Sequence, residues 1–273
     1  MNVLSLFDGM SCGQIALQRA GIYYDNYYAS EIDKYAIKVT QQNYPKTIQL
    51  GDIRNIAAKQ LPQIDLLIGG SPCQGFSFAG KKLNFDDPRS QLFFEYVRLL
   101  KELKPKYFLL ENVRMVQKNK DIISGYLGVE PIEINSALVS AQNRNRLYWT
   151  NIPHITPPED KHIYLQDVIE NGEALVSKSS CIDANYYKGG NNSSPKKQSG
   201  RRACISIADN GSYEVGKTVR VLTPLECERL QTVPEGYTAS VSNTQRYKML
   251  GNGWTIDIIA HILKGLHETT TEV

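Results

Sequence analysis

No stretch of this chain stays apolar for the roughly 20 residues that a membrane-spanning helix needs. Met1-Asn2-Val3-Leu4 reads as the start of a strand rather than as a signal peptide, so a cytoplasmic protein is expected. The five cysteines (Cys12, Cys73, Cys181, Cys204, Cys227) are an odd number and form no Cys-x-x-Cys pair. Neither a disulfide framework nor a zinc site is indicated. The four histidines (His154, His162, His261, His267) lack metal-ligand spacing, and no metal is expected. A Gly-x-Gly-x-x-Gly fingerprint is missing, which argues against a nicotinamide oxidoreductase. Net charge is only +3, too small for the overall balance to point to a nucleic-acid partner.

What is present is an α/β rhythm. Val3 to Phe7, Tyr28 to Ile32, Ile48 to Leu50, Asp65 to Ile68, Tyr107 to Leu110, Ile132 to Ser136 and Arg146 to Thr150 read as strands. Helical stretches from Gly13 to Ala20, Tyr35 to Gln42 and Gln91 to Leu103 fall between them, which predicts a doubly wound, mostly parallel sheet. The rhythm stops near Asn151-Ile152-Pro153, and a loop-rich stretch follows. Order resumes at Leu222-Thr223-Pro224-Leu225-Glu226, where Thr223, Pro224 and Glu226 spell a capped helix start. A last helix is predicted over Thr255 to Leu266. The expected division is a catalytic domain of residues 1–155 with 240–273, and a small domain of residues 156–239.

Three strand ends carry candidate binding chemistry. Phe7-Asp8-Gly9-Met10-Ser11-Cys12-Gly13 is a strand-to-helix turn whose glycines let backbone approach a ligand. Glu31 is placed to bond the two hydroxyls of a ribose, and Asp52 to accept from an adenine amino group. Together they suit an adenosine without a pyrophosphate. Two further strand ends carry reactive groups. Gly70-Ser71-Pro72-Cys73-Gln74 aims a thiol out of one strand, and Glu111-Asn112-Val113 ends another. In one parallel sheet these emerge side by side, and a thiolate beside a carboxyl group suits covalent catalysis. A lone cysteine is more often a buried structural residue; it is the surrounding motifs that favour the nucleophile.

With Gln142-Asn143-Arg144-Asn145-Arg146, Arg220-Val221-Leu222-Thr223-Pro224-Leu225-Glu226, Arg229-Leu230-Gln231 and Gly251-Asn252-Gly253, these motifs make the chain resemble the DNA cytosine-5 methyltransferases, in the family's order over nearly the whole length. Ser71 to Val113 looks like the bacterial modification enzymes, and the small size fits a bacterial or bacteriophage enzyme. Leu92-Phe93-Phe94-Glu95 and Trp254, where valine is usual, also resemble the animal de novo branch.

The resemblance implies S-adenosylmethionine (SAM) as cofactor, duplex DNA as substrate and a monomer acting in a bacterial or phage-infected cell. It implies that Cys73 attacks C6 of cytosine, Glu111 bonds N3 and the exocyclic amine, Arg146 reaches O2, and Arg144 braces the site or a phosphate. Asn112 is expected to bond the Pro-Cys loop. The implied cofactor site takes in Phe7, Asp8, Gly9, Ser11, Cys12, Gly13, Glu31, Ile32, Asp52, Ile53, Pro72, Leu92, Asn252 and Trp254, the last as a lid over the methionine end.

The target carbon is inaccessible in a stacked duplex, so the cytosine must be turned out. The polar stretch from Gly75 to Ser90 is the implied closing loop. Gln74, Ser77, Lys81, Lys82 and Arg89 are its expected DNA contacts. Between Val176 and Val221 eight Lys/Arg stand against three acids, five charges of excess where the whole chain has three. Lys196, Lys197, Arg201 and Arg202 are expected on phosphates, and Tyr186, Tyr187, Asn191 and Asn192 on bases. A solvated insertion explains that stretch equally well. A tRNA cytosine methyltransferase and a non-catalytic regulatory homologue are the competing readings. The intact Cys73, Glu111, Arg144 and Arg146 set argues against the latter.

Overall fold

Val3, Leu4 and Leu6 of β1 (Asn2–Leu6) are fully buried, as the apolar run of a strand covered on both faces must be. The computed structural model describes residues 1–72, 88–188, 205–206 and 219–268. The chain forms two compact units: Met1–Ile134 with Asn145–Pro157 and Ile259–Val273, and Asn135–Arg144 with Pro158–Ile258.

The first unit is built on a seven-stranded sheet. After β1 come α1 (Cys12–Ala20), β2 (Asn26–Ser30), α2 (Lys34–Asn43), β3 (Ile48–Gln49), β4 (Leu66–Gly70), α3 (Pro88–Leu103), β5 (Tyr107–Val113), α4 (Gln117–Leu127) and β6 (Ile132–Asn135). Beyond β7 (Gln142–Asn143), which lies outside this sheet, β8 (Asn145–Thr150) completes it in the order β3-β2-β1-β4-β5-β8-β6. Strands β1 to β5 pair in parallel, and β8 runs antiparallel to β5. The chain winds one way from β1 to β2 and the other way from β4 to β5. The turns after β1 and β4 therefore lie at the switch point where open α/β sheets present ligands.

Helix α3 turns Phe93, Tyr96, Val97 and Leu99 onto a core shared with Leu4, Leu6, Leu67, Phe108, Leu110 and Trp149. Each such large apolar side chain, fully buried, contributes about 1.5–3 kcal/mol. The strand at Leu66 reaches Gly70, two residues beyond the apolar run, because β1 pairs with it to Gly69 and β5 to Gly70. Helix α4 carries no clear sequence signature: two of its four buried residues, Asn119 and Ser124, are polar.

In the second unit β7 pairs with β10 (Ser179–Ser180), and β9 (Glu173–Ala174), β11 (Ile205–Ser206) and β12 (Val219–Arg220) form a small sheet. Helix α5 (Pro224–Leu230) starts on the expected capping box: Glu226 N–H donates to Thr223 Oγ1 (3.2 Å) and Thr223 N–H to Glu226 Oε2 (2.7 Å). Helix α6 (Asn243–Asn252) follows; of α7 (Ile256–Leu263) only residues 256–258 fall in this unit, and α8 (Gly265–Glu268) belongs to the first. The helix predicted over Thr255 to Leu266 is thus two pieces. Among the described residues no helix is long and apolar enough to cross a membrane, and no three metal-ligating side chains converge.

Candidate active site

The turn after β1 is held in an uncommon backbone. Phe7 (φ 57°), Gly9 (φ 60°) and Ser11 (φ 64°) all lie in the left-handed region, which costs a non-glycine residue about 1–3 kcal/mol. A polar lattice underneath fixes them. Gln14 Nε2 donates to Ser11 Oγ and to Thr47 Oγ1, both at 2.8 Å, and the Tyr24 hydroxyl donates to Gln14 Oε1 (2.7 Å). Among the described residues, nothing lies within 4 Å of where a Cβ on Gly9 would sit.

Glu31 closes this turn against the end of β2. Its Oε2 accepts from Gly9 N–H (2.8 Å), and Oε1 accepts from Ile32 N–H (2.7 Å) and Asp33 N–H (2.8 Å). A carboxylate offers about four acceptor positions, so Oε2 keeps one for a ligand hydroxyl. Ile32 beside it is 72 % exposed, an apolar side chain with little protein cover. Asp52 caps the short turn Ile53–Asn55 and is gripped by the Arg54 guanidinium at both oxygens. Those hydrogen bonds hold its carboxyl below the usual range.

The other expected cofactor residues differ in depth and in what they pack against. Asp8 is buried under the turn. Its Oδ1 accepts from the Tyr27 hydroxyl (2.8 Å), and its Oδ2 is buried with no hydrogen-bond partner among the described residues. Burial raises its pKa to about 6, against the pull of the tyrosine hydrogen bond. Cys12 is buried, and Ile53 sits in the core. A Cβ on Gly13 would lie 2.5 Å from Ile68 and from the Tyr27 hydroxyl, so this glycine serves close helix–sheet packing. Leu92 packs partly on the core, and Pro72 is half-buried. Asn252 is exposed and Trp254 half-buried in the second unit.

The sheet edge brings the expected carboxylate to its partner. Register sets Glu111 opposite Tyr148 and Val113 opposite Arg146. Glu111 and Arg146 are therefore diagonal neighbours on one face of an antiparallel pair. Arg146 Nε lies 3.0 Å from Glu111 Oε1, with both side chains mostly buried. On the other flank β4 places Gly70 opposite Glu111. Asn112 Nδ2 reaches Ser71 Oγ (3.1 Å) and Ser71 O (3.4 Å), while its Oδ1 accepts from Val113 N–H. The expected tie between Asn112 and the Pro-Cys loop thus lands on Ser71.

Arg144 faces a different set. It is 3 % exposed and donates from Nη1 to Ile182 O and from Nη2 to Gly251 O and Gly253 O. Gln142 and Gln231, both fully buried, complete this network, and sequence reading missed their part in it. Tyr186 is corrected: it is 1 % exposed and packs on Tyr247, so it is core rather than a base reader. Tyr187 is exposed. Cys73, Gln74, Ser77, Lys81, Lys82, Asn191, Asn192, Lys196, Lys197, Arg201 and Arg202 lie outside the described residues, as does the Arg89 side chain.

A family model for C-5 cytosine-specific DNA methylases matches residues 1–125 and 133–268. The chain is 32 % identical to the type II methyltransferase M1.ScrFI of Lactococcus lactis subsp. cremoris, over 88 % of this chain and 72 % of that protein. It is 30 % identical to the type II methyltransferase M.FnuDI of Fusobacterium nucleatum, over 100 % of this chain and 96 % of that one. The solved structure of the Entamoeba histolytica methyltransferase EhMeth shares the fold, with a TM-score of 0.81, 17 % identity, and coverage of 100 % and 99 %. By the extent of these matches, the chain belongs to the C-5 cytosine-specific DNA methylase family and is a DNA cytosine methyltransferase that uses SAM.

Proposed function

We propose that the protein methylates C5 of cytosine within a short specific sequence of duplex DNA, through a transient bond between Cys73 and C6 of a base turned out of the helix. The observation that carries this reading is the Glu111–Arg146 pair, set at the strand end next to the Ser71-Pro72 stem from which Cys73 follows.

The turn after β1 and the end of β2 fit the SAM nucleoside. Gly9 and Gly51, both at positive φ, have no atom of the described residues within 4 Å of where a Cβ would sit. Glu31 retains an acceptor position for a ribose hydroxyl, and the exposed Ile32 offers a face for the adenine. Asp52 is already engaged by Arg54, so an adenine amino group would share its carboxylate. When bound, SAM supplies an electrophilic methyl group.

The remaining chemistry falls to this chain. A free thiol has a pKa of about 8.5, so the site must favour loss of the Cys73 proton. The thiolate bonds C6, and the electron pair of the C5–C6 double bond moves to C5. Glu111 holds the proton at N3, and Arg146, anchored on Glu111, extends toward O2 as a cationic donor. Once C5 carries the methyl group, its hydrogen leaves as a proton and the S–C6 bond breaks, which restores the aromatic ring. The basic stretch of the second unit is assigned to duplex binding and sequence choice.

Bisulfite sequencing of DNA from cells expressing the protein tests this reading. Protected cytosines confined to one short sequence context are expected. Protection of tRNA cytosines with none in DNA favours the RNA reading instead.

A further inference from the structure

Asp8 is a buried acid that the reaction described above does not use. It lies in the first unit, as do Ser5, Ser11, Tyr24, Tyr27 and Glu31 around it. Its backbone N–H donates to Ser30 O and its carbonyl accepts from Ser11 N–H, both at 3.1 Å, so the residue is pinned inside the turn between β1 and α1. The hydroxyls of Ser5 on β1, Ser11 at the start of α1 and Tyr27 on β2 face its carboxyl group, and Glu31 adds a second negative charge from the end of β2. Tyr27 donates to Oδ1 (2.8 Å), while Oδ2 and the Ser5 hydroxyl are buried with no hydrogen-bond partner among the described residues.

A buried carboxylate this short of donors is held at a cost. Among the described residues, the groups that act on it include no lysine or arginine. The next residue, Gly9, gives its N–H to Glu31 Oε2 (2.8 Å), the oxygen assigned to a ribose hydroxyl. In SAM the sulfur is bonded to the 5′ carbon of that ribose and carries a permanent positive charge. In the product, S-adenosylhomocysteine (SAH), the same sulfur is a neutral thioether. A ribose held at Glu31 therefore brings a cation into the field of Asp8. Opposite unit charges about 10 Å apart attract by more than thermal energy at an effective dielectric constant of about 20, and a buried charge is little screened by salt.

We propose that Asp8 is a specificity-determining residue that reads the charge on the cofactor's sulfur without touching it: its buried carboxylate favours cationic SAM over neutral SAH. The proposal rests on the reading of the β1 turn and Glu31 as the SAM nucleoside site. Methyl transfer turns the sulfonium into a thioether, and the buried anion then loses its counter-charge, which loosens the product relative to the cofactor. An asparagine at position 8 keeps the shape and the acceptor for Tyr27 but carries no charge to read with.

The test is calorimetric binding of SAM and of SAH to the full chain at pH 5, 6 and 7, for the wild type and for Asp8→Asn. Over this window both ligands carry the same protonated amino and ionised carboxyl groups, so the ratio of their affinities isolates the sulfur. Asp8 titrates at about 6, while Tyr24 and Tyr27 stay neutral because burial raises both phenols. A cation favours the ionised acid, so the preference for SAM over SAH should grow with pH. From pH 5 to 7 the wild type should gain about fivefold, as follows if SAM lowers the pKa of Asp8 by about one unit. Near pH 6 SAM should release a fraction of a proton, read from binding heats in buffers of different ionisation enthalpy, and SAH should release less. Asp8→Asn should show a preference that does not change with pH. A wild-type preference that stays flat overturns the proposal, and so does a rise that survives in Asp8→Asn. Glu31→Ala should weaken both ligands. If it does so while the wild-type ratio is flat, the nucleoside site stands and the charge role of Asp8 falls; if it weakens neither, the site is misplaced and the proposal falls with it.

Discussion

Asp8 shows how far a residue's chemistry can be read without its surroundings. Its place in a glycine turn marks it for a ligand, yet its carboxyl group lies beneath the turn against Tyr27. Its ordinary pKa of 3.8 rises to about 6 on burial. Between those values the folded state keeps a proton that the unfolded chain has released. Stability therefore falls as pH rises through about 4 to 6, and the full cost is present above 6. The shift corresponds to a cost on the order of 2–3 kcal/mol. Asp8→Asn keeps an acceptor for the tyrosine hydroxyl and removes the buried charge. Its melting temperature should exceed that of the wild type at pH 7.5 and converge with it near pH 4. Equal destabilisation at both pH values contradicts this assignment.

Among elements, those with period and caps were legible and those without were not. The strands feeding the switch point are apolar runs, and α5 announces itself by Thr223, Pro224 and Glu226. Helix α6 does not, since only Met249, Leu250 and Gly251 of its ten residues are buried. The sequence left open whether β4 and β5 share one sheet; they pair in parallel, and Asn112 donates to Ser71, two residues before the proposed nucleophile Cys73. Asn112→Ala should lower the single-turnover rate about 10- to 100-fold at saturating SAM and DNA, the scale of a nucleophile displaced by an ångström or so. SAM affinity should be unchanged. A variant that melts earlier but turns over at the wild-type rate makes Asn112 a structural residue only.

At the scale of the whole molecule, the family and its fold were readable because the motifs fall in order along the chain. The partners of Arg144 were not, for Gly251 and Gly253 lie more than a hundred residues away and only the fold brings them together. Tyr186 was misread for a similar reason: a tyrosine in a basic, polar stretch gives no sign that Tyr247 will cover it. The catalytic reading joins groups from separate elements into one reaction, and covalent capture tests it most directly. In a duplex carrying 5-fluorocytosine at the target site, fluorine cannot leave C5 as a proton does. After methyl transfer the Cys73–C6 bond is then held. Wild-type protein incubated with SAM and this duplex should give a denaturant-resistant protein–DNA adduct, and Cys73→Ser should give none while still binding SAM. An adduct formed equally well by Cys73→Ser would contradict the assignment of the nucleophile.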